Sequence, residues 1–252
     1  MMPATALLER AINGMLAPLG VKVVRRGGPP TIGGRAMSDE AVIEQARSRG
    51  ISPGALLEEM FGKTGRATEI MRRMTACGAL SSRVRRVCEI GPGSGLYVEE
   101  TLEAAPVSSY EIYEIALVRA QYLASAYPVT MQPTDGESLR ATPDRTIDLV
   151  QAHGVFVTLD FLTSCSYFRE IDRVMAPGGH VVFDIMSEEC LDDAALESWL
   201  QTRLRYPSFH PKHYVVRFFT TRGYTLIDEF NVPLLVHGSS RYLIFRAPGV
   251  AA

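Results

Sequence analysis

The stretch Val84-Arg85-Arg86-Val87-Cys88-Glu89-Ile90-Gly91-Pro92-Gly93-Ser94-Gly95 sets the fold expected for the whole chain. Its mostly apolar run, Val87–Ile90, predicts a buried strand that stops abruptly at three alternating glycines. Because glycine has no Cβ, such a turn can bend sharply and let a ligand lie on the backbone before the next helix, predicted over Leu96–Ala105. The stretch therefore predicts a turn that binds a nucleotide or a nucleoside.

The spacing of the glycines narrows the choice of ligand. A dinucleotide-binding fingerprint has its third glycine one position later, where this chain has Leu96, and it usually holds a pyrophosphate at the helix N-terminus. Here the strand end carries an acid, Glu89, which would repel a phosphate but can accept hydrogen bonds from an ammonium group. The turn therefore favours a ligand with an ammonium group.

Length and composition set the limits of the fold. The 252 residues fit one α/β domain with an added piece, or two small domains, and 46% hydrophobic residues are enough for a sizeable core. With 26 basic against 28 acidic residues, the formal net charge of −2 gives no electrostatic case for a nucleic acid partner. The cysteines form no Cys-x-x-Cys pair, which argues against structural zinc and for reduced thiols in a cytoplasmic protein.

No membrane segment or signal peptide is predicted. The chain has no run of the ~18 uninterrupted apolar residues that a membrane span needs. Glu9 and Arg10 interrupt the apolar part of the N-terminus, which is instead expected to form an amphipathic helix within Met1–Arg26. An extended piece, Val21–Val24, and a loop rich in glycine and proline follow.

The segment before the glycine turn has a helical pattern. Helices are predicted from Ser38 to about Arg47, from Ser52-Pro53 to Gly62, and from about Thr64 to Ala76. They have no strand partners, so we expect a helical N-terminal cap over residues 1–80 and a ligand-binding domain over residues 81–252. Such a cap could wall a substrate site or only extend the core.

After the turn, strand and helix patterns alternate, which predicts an α/β fold with a doubly wound, mostly parallel sheet. The strands predicted after Val87–Ile90 are Tyr110–Tyr113, Val129–Met131, Ile147–Gln151, Val181–Ile185, Thr225–Ile227 and Tyr242–Phe245. The helices between them are expected to begin near Leu117, Leu162, Leu191 and Pro211. The second of these helices is predicted to present one apolar face formed by Leu162, Cys165, Phe168, Ile171 and Met175, and the third is predicted to bury Leu196, Trp199 and Leu200. The pattern thus predicts a seven-stranded sheet.

Acidic residues occur where these strands end. In an open parallel sheet the ligand lies beyond the carboxyl ends of the strands. Glu114 closes the second strand, where a carboxylate can accept hydrogen bonds from two ribose hydroxyls, and Glu111 is a second candidate for that role. Asp135, in the loop that it forms with Gly136 and Glu137, lies where an adenine amino group would be met. These acids predict a nucleoside site.

Several motifs resemble those of the class I S-adenosylmethionine-dependent methyltransferases: the glycine turn, the strand Ile147–Val150 and the helix exit Arg173–Gly179. The resemblance covers Val84 to Phe245 and implies a Rossmann-like fold with S-adenosyl-L-methionine as cofactor. It implies these cofactor-binding residues: Glu89, Gly91, Gly93 and Gly95 for the methionine end, Glu114 for the ribose, Asp135 and Gly136 for the adenine, and His153. The end of the chain, Ser240–Arg246, together with Tyr110–Glu114, is similar to a bacterial group of sugar O-methyltransferases.

Methyl transfer to a sugar hydroxyl should be helped by a base, because a hydroxyl is a poor acid. His153, after the fourth strand, is the first candidate, although it could instead bond to the backbone or the cofactor. Asp184 is the next, and it could instead bind a divalent metal. His213 and its neighbour His210 could line the acceptor site from the other side, unless they lie in an exposed loop. No cluster has metal-ligand spacing, so a metal lacks support.

We therefore expect an enzyme, an O-methyltransferase that methylates a hydroxyl of a sugar or saccharide-containing substrate. A small natural-product acceptor stays open, as does a non-catalytic subunit that only binds the cofactor. A nicotinamide oxidoreductase is disfavoured by Leu96 and Glu89. No nucleic acid partner is expected, and the sequence leaves open a homo-oligomer.

Overall fold

The computed structural model describes residues 31–32, 35–62, 64–202, 208–234 and 238–249. The chain divides into two compact units, Met1–Ser38 and Asp39–Ala252. In the first unit, two short described strands, β1 (Thr31–Ile32) and β2 (Arg35–Ala36), pair antiparallel. The predicted helix within residues 1–26 and the extended piece over residues 21–24 lie outside the described residues.

The described part of the second unit contains eight α-helices. They are α1 (Asp39–Arg49), α2 (Pro53–Met60), α3 (Arg66–Ala76), α4 (Leu96–Ala104), α5 (Leu117–Ala126), α6 (Phe161–Val174), α7 (Asp193–Thr202) and α8 (Lys212–Thr220). Ser52 caps α2 as its sequence predicts, since the Ser52 side chain accepts a hydrogen bond from the backbone N–H of Ala55 at 3.2 Å. The helices α1 to α3 form where they are predicted and belong to the same compact unit as the sheet. Their description as a separate cap stays a prediction.

Seven strands form the sheet of this unit. They are β3 (Arg86–Ile90), β4 (Ser109–Tyr113), β5 (Thr130–Met131), β6 (Ile147–Ala152), β7 (Met175–Ile185), β8 (Thr225–Pro233) and β9 (Ser239–Arg246). Their spatial order is β5-β4-β3-β6-β7-β9-β8. The strands β3 to β7 run parallel to one another, and β9 lies antiparallel to both β7 and β8. The predicted α/β fold with a mostly parallel sheet is confirmed.

Two boundary predictions were wrong. The segment Ala176–Gly179 does not end the preceding helix, which stops at Val174; it belongs to β7, which begins at Met175. An added Cβ at Gly179 would lie 2.8 Å from the carbonyl oxygen of Asp148, so this strand passes close to its neighbour. The helix predicted from Leu191 begins at Asp193, where the Asp192 side chain caps the N–H of Ala195 at 2.7 Å.

The inward faces predicted for two helices also need correction. Leu162 on α6 is 75% exposed, because the buried face of this helix runs through Ser164, Tyr167, Phe168, Ile171 and Val174. On α7, Leu196 and Leu200 are exposed although both were predicted to be buried. Apolar periodicity identified both helices and the burial of Phe168 and Ile171 on α6, but it did not predict which apolar residues near the edges of these faces stay exposed.

The core lies on both faces of the sheet. One side holds an aromatic cluster around Phe168, Phe183 and Phe219, which is completed by α6 and α8. On the other side, Ile70 and Met74 of α3 pack with Tyr242 of β9. The helix α2 approaches α4 closely, since a Cβ at Gly54 would lie 2.6 Å from Leu96 Cβ. This contact brings α2 next to the glycine turn.

Replacing Gly95 should show how tightly the turn is packed. Gly95 has φ of +83°, and an added Cβ would lie 2.3 Å from Cδ2 of the fully buried Leu123. Gly50 has a similar φ of +66° but no atom within 4 Å of an added Cβ. We expect Gly95→Ala to lower the free energy of unfolding by about 2–4 kcal/mol and Gly50→Ala by about 1–2 kcal/mol. Urea denaturation measures both, and equal losses would contradict the packing described here.

Candidate functional site

A cavity of about 250 Å³ lies beyond the carboxyl end of β3. The chain leaves β3 toward β4 on one side and returns to β6 on the other, so this is the point where strand order reverses. The described residues that line the cavity are Gly54, Leu57, Glu58, Phe61, Arg66, Gly91, Pro92, Gly93, Ser94, Leu96, Tyr97 and His153. The glycine turn, α2, the start of α3 and the end of β6 thus meet around one space.

A larger groove of about 840 Å³ lies at the opposite edge of the sheet, where Asp148 and His180 are among its lining residues. Ligands of open parallel sheets bind at the carboxyl ends of the strands, and this groove lies at the amino ends. The smaller cavity is therefore the candidate site.

Two glycines of the turn, Gly91 and Gly93, differ in what surrounds them. Gly91 has φ of +61°, and an added Cβ would lie 2.8 Å from Cγ2 of Val155, so this position lets the loop after β6 pack against the turn. Gly93 has φ of +56°, but the nearest atom to an added Cβ is the carbonyl oxygen of Gly91 at 3.9 Å. The backbone at Gly93 therefore faces open space inside the cavity, where a ligand can approach it.

Glu114 lies beside the turn, at the end of β4. Its Oε2 accepts a hydrogen bond from the backbone N–H of Gly93 at 2.9 Å, and its Oε1 accepts one from Ala116 at 2.8 Å. The structure therefore brings this acid to the turn, as the sequence predicts for strand ends that share an edge. Its contact with a ribose stays a prediction.

Asp135 orders its own loop. Its carboxylate accepts hydrogen bonds from the backbone N–H groups of Glu137 at 3.0 Å and Ser138 at 2.8 Å, and these bonds hold its pKa below the usual value. Next to it, Gly136 lies against Ile115, since an added Cβ would lie 3.7 Å from Ile115 Cγ2. Ile115 is 76% exposed and offers an apolar surface to a flat ring. Sequence reasoning did not consider Ile115, which directly follows the strand-end acid Glu114.

Glu89 lies beneath the turn and is fully buried. Its carboxyl accepts hydrogen bonds from the hydroxyl of Tyr110 and from Nε2 of Gln151, the latter at 3.2 Å. Gln151 also bonds to the Thr101 hydroxyl at 3.2 Å, so the network joins three strands and α4. Burial raises the pKa of Glu89 to about 7. Glu89 is not one of the residues that line the cavity, so its predicted contact with an ammonium group gains no support here.

His153 lines the cavity and is held by two tyrosines. Its ring stacks on Tyr97 with 3.6 Å between ring centroids, and its Nδ1 lies 3.1 Å from the hydroxyl of Tyr242. Burial, together with the nearby positive charge of Arg66, lowers the pKa of His153 to about 3. The imidazole is therefore neutral near pH 7 and only weakly basic.

The other two predicted catalytic residues do not line the cavity. Asp184 is fully buried, where its Oδ1 accepts a hydrogen bond from the backbone N–H of Gly154 at 2.6 Å and its Oδ2 lies 3.5 Å from Nη2 of Arg66. His213 is exposed on α8. His210 is buried, with its Nε2 bonded to the hydroxyl of Ser164 at 2.8 Å. Neither Asp184 nor His213 lines the cavity, and their catalytic roles stay predictions.

Among the cavity residues that sequence reasoning missed, Glu58, Arg66 and Tyr97 have charged or hydroxyl side chains. Glu58 and Arg66 come from the helices before the turn, and Tyr97 follows it on α4. Nothing in local periodicity marks them, because their meeting depends on how α2 and α3 pack.

Among the described residues, no group of three or more His, Cys, Asp or Glu side chains could hold a metal ion. In the same part of the chain, no helix is both long enough and apolar enough to cross a membrane.

The fold and this cavity define an α/β protein with a candidate ligand site at a glycine turn on the carboxyl edge of its sheet. Residues 61–229, well over half of the chain, match the family described as "Methyltransferase domain". The chain belongs to this methyltransferase family.

The comparisons agree with this assignment. A malonyl-[acyl-carrier protein] O-methyltransferase of Chlorobium luteolum is 29% identical over 178 residues, which cover 68% of this chain and 65% of that protein's length. The N-methyltransferase NodS of Bradyrhizobium japonicum WM9, in complex with S-adenosyl-L-homocysteine, is 19% identical with a TM-score of 0.54, over 74% of this chain and 87% of its own. Magnesium protoporphyrin IX methyltransferase of Synechocystis PCC 6803, with bound S-adenosylhomocysteine, is 13% identical with a TM-score of 0.58, over 77% and 87%. At these identities, the two structures are evidence of a shared fold.

The chain is therefore a methyltransferase by family. The S-adenosylhomocysteine bound in both of those structures agrees with the predicted cofactor, S-adenosylmethionine. The class I resemblance is confirmed, whereas the sugar O-methyltransferase subgroup is not. The described residues fit this cofactor, because Gly93 leaves open space above the turn and Ile115 exposes an apolar face beyond Glu114.

Gly93→Asp should abolish cofactor binding without unfolding the protein. Asp tolerates positive φ better than most residues, but it would place bulk and negative charge in the open space above the turn. Gly78 has φ of +81° and equally open surroundings at the far edge of the sheet, so Gly78→Asp is a matched control. Calorimetry with S-adenosylhomocysteine should show a loss of at least about 100-fold in affinity for Gly93→Asp alone. Unchanged affinity in that variant would remove Gly93 from the site.

Glu89→Gln should change how stability depends on pH. The pKa of Glu89 rises from 4.5 to about 7 on folding, so the stability that its protonated form confers is complete below pH 4.5 and lost as pH rises to about 7. Gln does not ionise, so the variant should gain up to about 3 kcal/mol relative to the wild type across that window. Urea denaturation at several pH values measures this difference. A difference that stays constant with pH would show that Glu89 titrates normally.

Proposed function

We propose that this methyltransferase transfers the methyl group to a carboxylate oxygen of its acceptor and forms a methyl ester. The observation that carries this proposal is the low basicity of the site. His153, the predicted base that does line the cavity, has a pKa lowered to about 3. Asp184 is buried against Gly154 and Arg66. Neither group is well suited to take a proton from a sugar hydroxyl.

A carboxylate acceptor avoids this difficulty. Its ordinary pKa is about 4, so it is already ionised at neutral pH and no proton has to be removed. The bound cofactor supplies a methyl group on a sulfonium: as the acceptor oxygen forms the new C–O bond, the C–S bond breaks and its electron pair stays on sulfur. What the chain must add is alignment and the exclusion of water.

The residues of the cavity are suited to those two tasks. The Gly91–Ser94 backbone provides a bed for the cofactor, and the stacked rings of Tyr97 and His153 form a rigid wall. A neutral His153 also avoids a second positive charge next to the sulfonium, which would oppose cofactor binding. The low pKa of His153 thus favours a role as a wall that orients the reactants, and it disfavours a role as a base.

The similarity to a malonyl-[acyl-carrier protein] O-methyltransferase also supports a carboxylate acceptor, because a malonyl group ends in a free carboxylate. That relative is matched over 65% of its length, so its acceptor is a candidate for this chain and no more. The saccharide hydroxyl, the small natural product and the non-catalytic subunit remain predictions that compete with this proposal. Cytoplasmic placement and a homo-oligomer also remain predictions.

The chemical stability of the product tests the proposal. The protein is incubated with methyl-labelled S-adenosylmethionine and malonyl-acyl carrier protein, with acetyl-acyl carrier protein as the matched acceptor that lacks the carboxylate, and with glucose as a saccharide. A methyl ester releases labelled methanol in mild base, whereas an ether does not. We expect base-labile label on the malonyl carrier alone. Base-stable label on glucose would replace the proposal with the hydroxyl acceptor, and no transfer to any acceptor despite cofactor binding would favour a non-catalytic subunit.

Substitution of His153 distinguishes a residue that only packs against the reactants from one that acts as a general base. Loss of a general base usually costs about 10²–10⁴-fold in rate, whereas His153→Gln should lower kcat by less than about 10-fold, because only its packing changes. The pH profile of kcat should be flat between about pH 6 and about pH 9, since His153 titrates near pH 3. His180→Gln, at the opposite edge of the sheet, is the control. A loss of several hundred-fold in His153→Gln, or a rate that falls below about pH 7, would restore the base role.

A further inference from the structure

One face of α6 holds the loop between β5 and β6. Tyr167, Glu170 and Arg173 follow one another at intervals of three residues, so their side chains lie on the same side of the helix. The loop that they contact carries Asp135 and Gly136, the residues expected to meet an adenine. The described residues that line the cavity include none of the three α6 residues, so they can affect a ligand there only through the loop.

The guanidinium of Arg173 spans the rear of the loop. Its Nη2 donates a hydrogen bond to the carbonyl oxygen of Leu139 at 2.9 Å, and its Nη1 donates one to the carbonyl oxygen of Thr142 at 2.9 Å. Nη1 also lies 2.6 Å from Oδ1 of Asp144. A guanidinium has five N–H donors in a planar fork, so one side chain can hold several points of the chain at fixed separations. Arg173 thereby fixes the shape of residues 139–144.

Glu170 completes the attachment of Leu139. Its Oε2 accepts a hydrogen bond from the backbone N–H of Leu139 at 3.0 Å. Arg173 holds the same carboxylate through Nε at 3.0 Å and through Nη2 at 2.7 Å. Leu139 is fully buried, and buried backbone groups need hydrogen-bond partners. Since both backbone groups of Leu139 find their partners on α6, the loop cannot shift without breaking its bonds to that helix.

The front of the loop is also attached to the body of the domain. The Tyr167 side chain is buried, and its hydroxyl interacts with the side chain of Thr134. Oγ1 of Thr134 accepts a hydrogen bond from the backbone N–H of Gly136 at 3.2 Å. On the other side, the hydroxyl of Thr142 donates a hydrogen bond to Glu111 of β4 at 2.5 Å. The loop is therefore held between α6 and β4.

The residues expected to meet the adenine lie on a part of the loop that solvent reaches. The Asp135 side chain is 41% exposed, and Ile115, which lies against Gly136, is 76% exposed. A ligand that binds here meets a loop that is already in place. Binding to an ordered segment costs less conformational entropy than binding to a segment that has to become ordered.

We propose that Glu170 and Arg173 are positioning residues for cofactor binding, which hold Asp135 and Gly136 where the adenine of S-adenosylmethionine binds. The proposal rests on the predicted cofactor and does not depend on which acceptor is methylated. It goes beyond a role in stability, because the position of the loop then sets the preference for adenine over another base.

The experiment compares two ligands that differ only at the base. S-adenosylhomocysteine carries the amino group of adenine, whereas S-inosylhomocysteine carries a carbonyl oxygen in its place. Calorimetry measures the affinity of both ligands for the wild type, Arg173→Met and Glu170→Gln, at a temperature at which each protein is folded by thermal unfolding. The control is Arg169→Met, because Arg169 is an exposed arginine on the same helix. If Arg173→Met does not fold, Glu170→Gln decides, since Gln keeps the size of Glu and loses one acceptor oxygen.

We expect the wild type and Arg169→Met to prefer S-adenosylhomocysteine by at least about 10-fold, and Arg173→Met to lower the affinity for this ligand by about 10–100-fold. The loss for S-inosylhomocysteine should be smaller, because its carbonyl oxygen has no hydrogen bond to Asp135 that could be lost. The preference for adenine should therefore fall in Arg173→Met, and by a smaller factor in Glu170→Gln.

Two results would overturn the proposal. One is a preference for adenine that stays unchanged in both variants, which would leave Glu170 and Arg173 a role in stability alone. The other is a wild type that binds the two ligands equally. A wild type that binds neither ligand would contradict the predicted cofactor itself, and the proposal would fall with it.

Discussion

Close backbone approaches around the glycine turn are the constraint on which this structure depends. The turn must lie against the loop after β6, against α5 and beneath α2 at once. At Gly91, Gly95 and Gly54, an added Cβ would lie less than 3 Å from a neighbouring side chain. Gly93 differs, because its added Cβ would meet only open space. Three glycines thus allow the elements to pack, and the fourth leaves room for the ligand.

Electrostatics around the cavity follow from the same close packing. Burial keeps His153 neutral by lowering its pKa to about 3, and it raises the pKa of Glu89 to about 7. The guanidinium of Arg66 lies 3.5 Å from the buried carboxylate of Asp184. A positively charged cofactor therefore meets a site whose histidine adds no positive charge and whose cation is paired with a buried acid. Such a site is built to position charged reactants, and it has little capacity to move protons.

Much of the fold could be predicted from local patterns. The strand and helix alternation after Gly95 reflects periodicity and turn chemistry, which act over a few residues, and these gave the sheet and most helix positions. The buried face of α7 could not be predicted, because the exposure of Leu196 and Leu200 depends on which elements pack beside them. The prediction for the end of α6 was wrong for a related reason. A Pro-Gly-Gly segment normally ends a helix, but here it lies near the start of a strand.

Some residues of the candidate site could likewise be predicted from the sequence, and others could not. Gly93 and Glu114 could be found from the sequence, because a motif and a strand end fix them locally. Arg66 and Tyr97 could not, since their contact with the cavity depends on long-range packing of helices. Asp184 was identified as a notable strand-end acid, but its burial and its partner Arg66 follow only from the fold.

A crystal structure of the protein with S-adenosylhomocysteine would test the central claim most directly. The ligand should lie along Gly91–Gly95, with its adenine against Ile115 and its ribose at Glu114. Ligand density in the groove at the amino edge of the sheet, or a ribose directed away from Glu114, would contradict this description of the site.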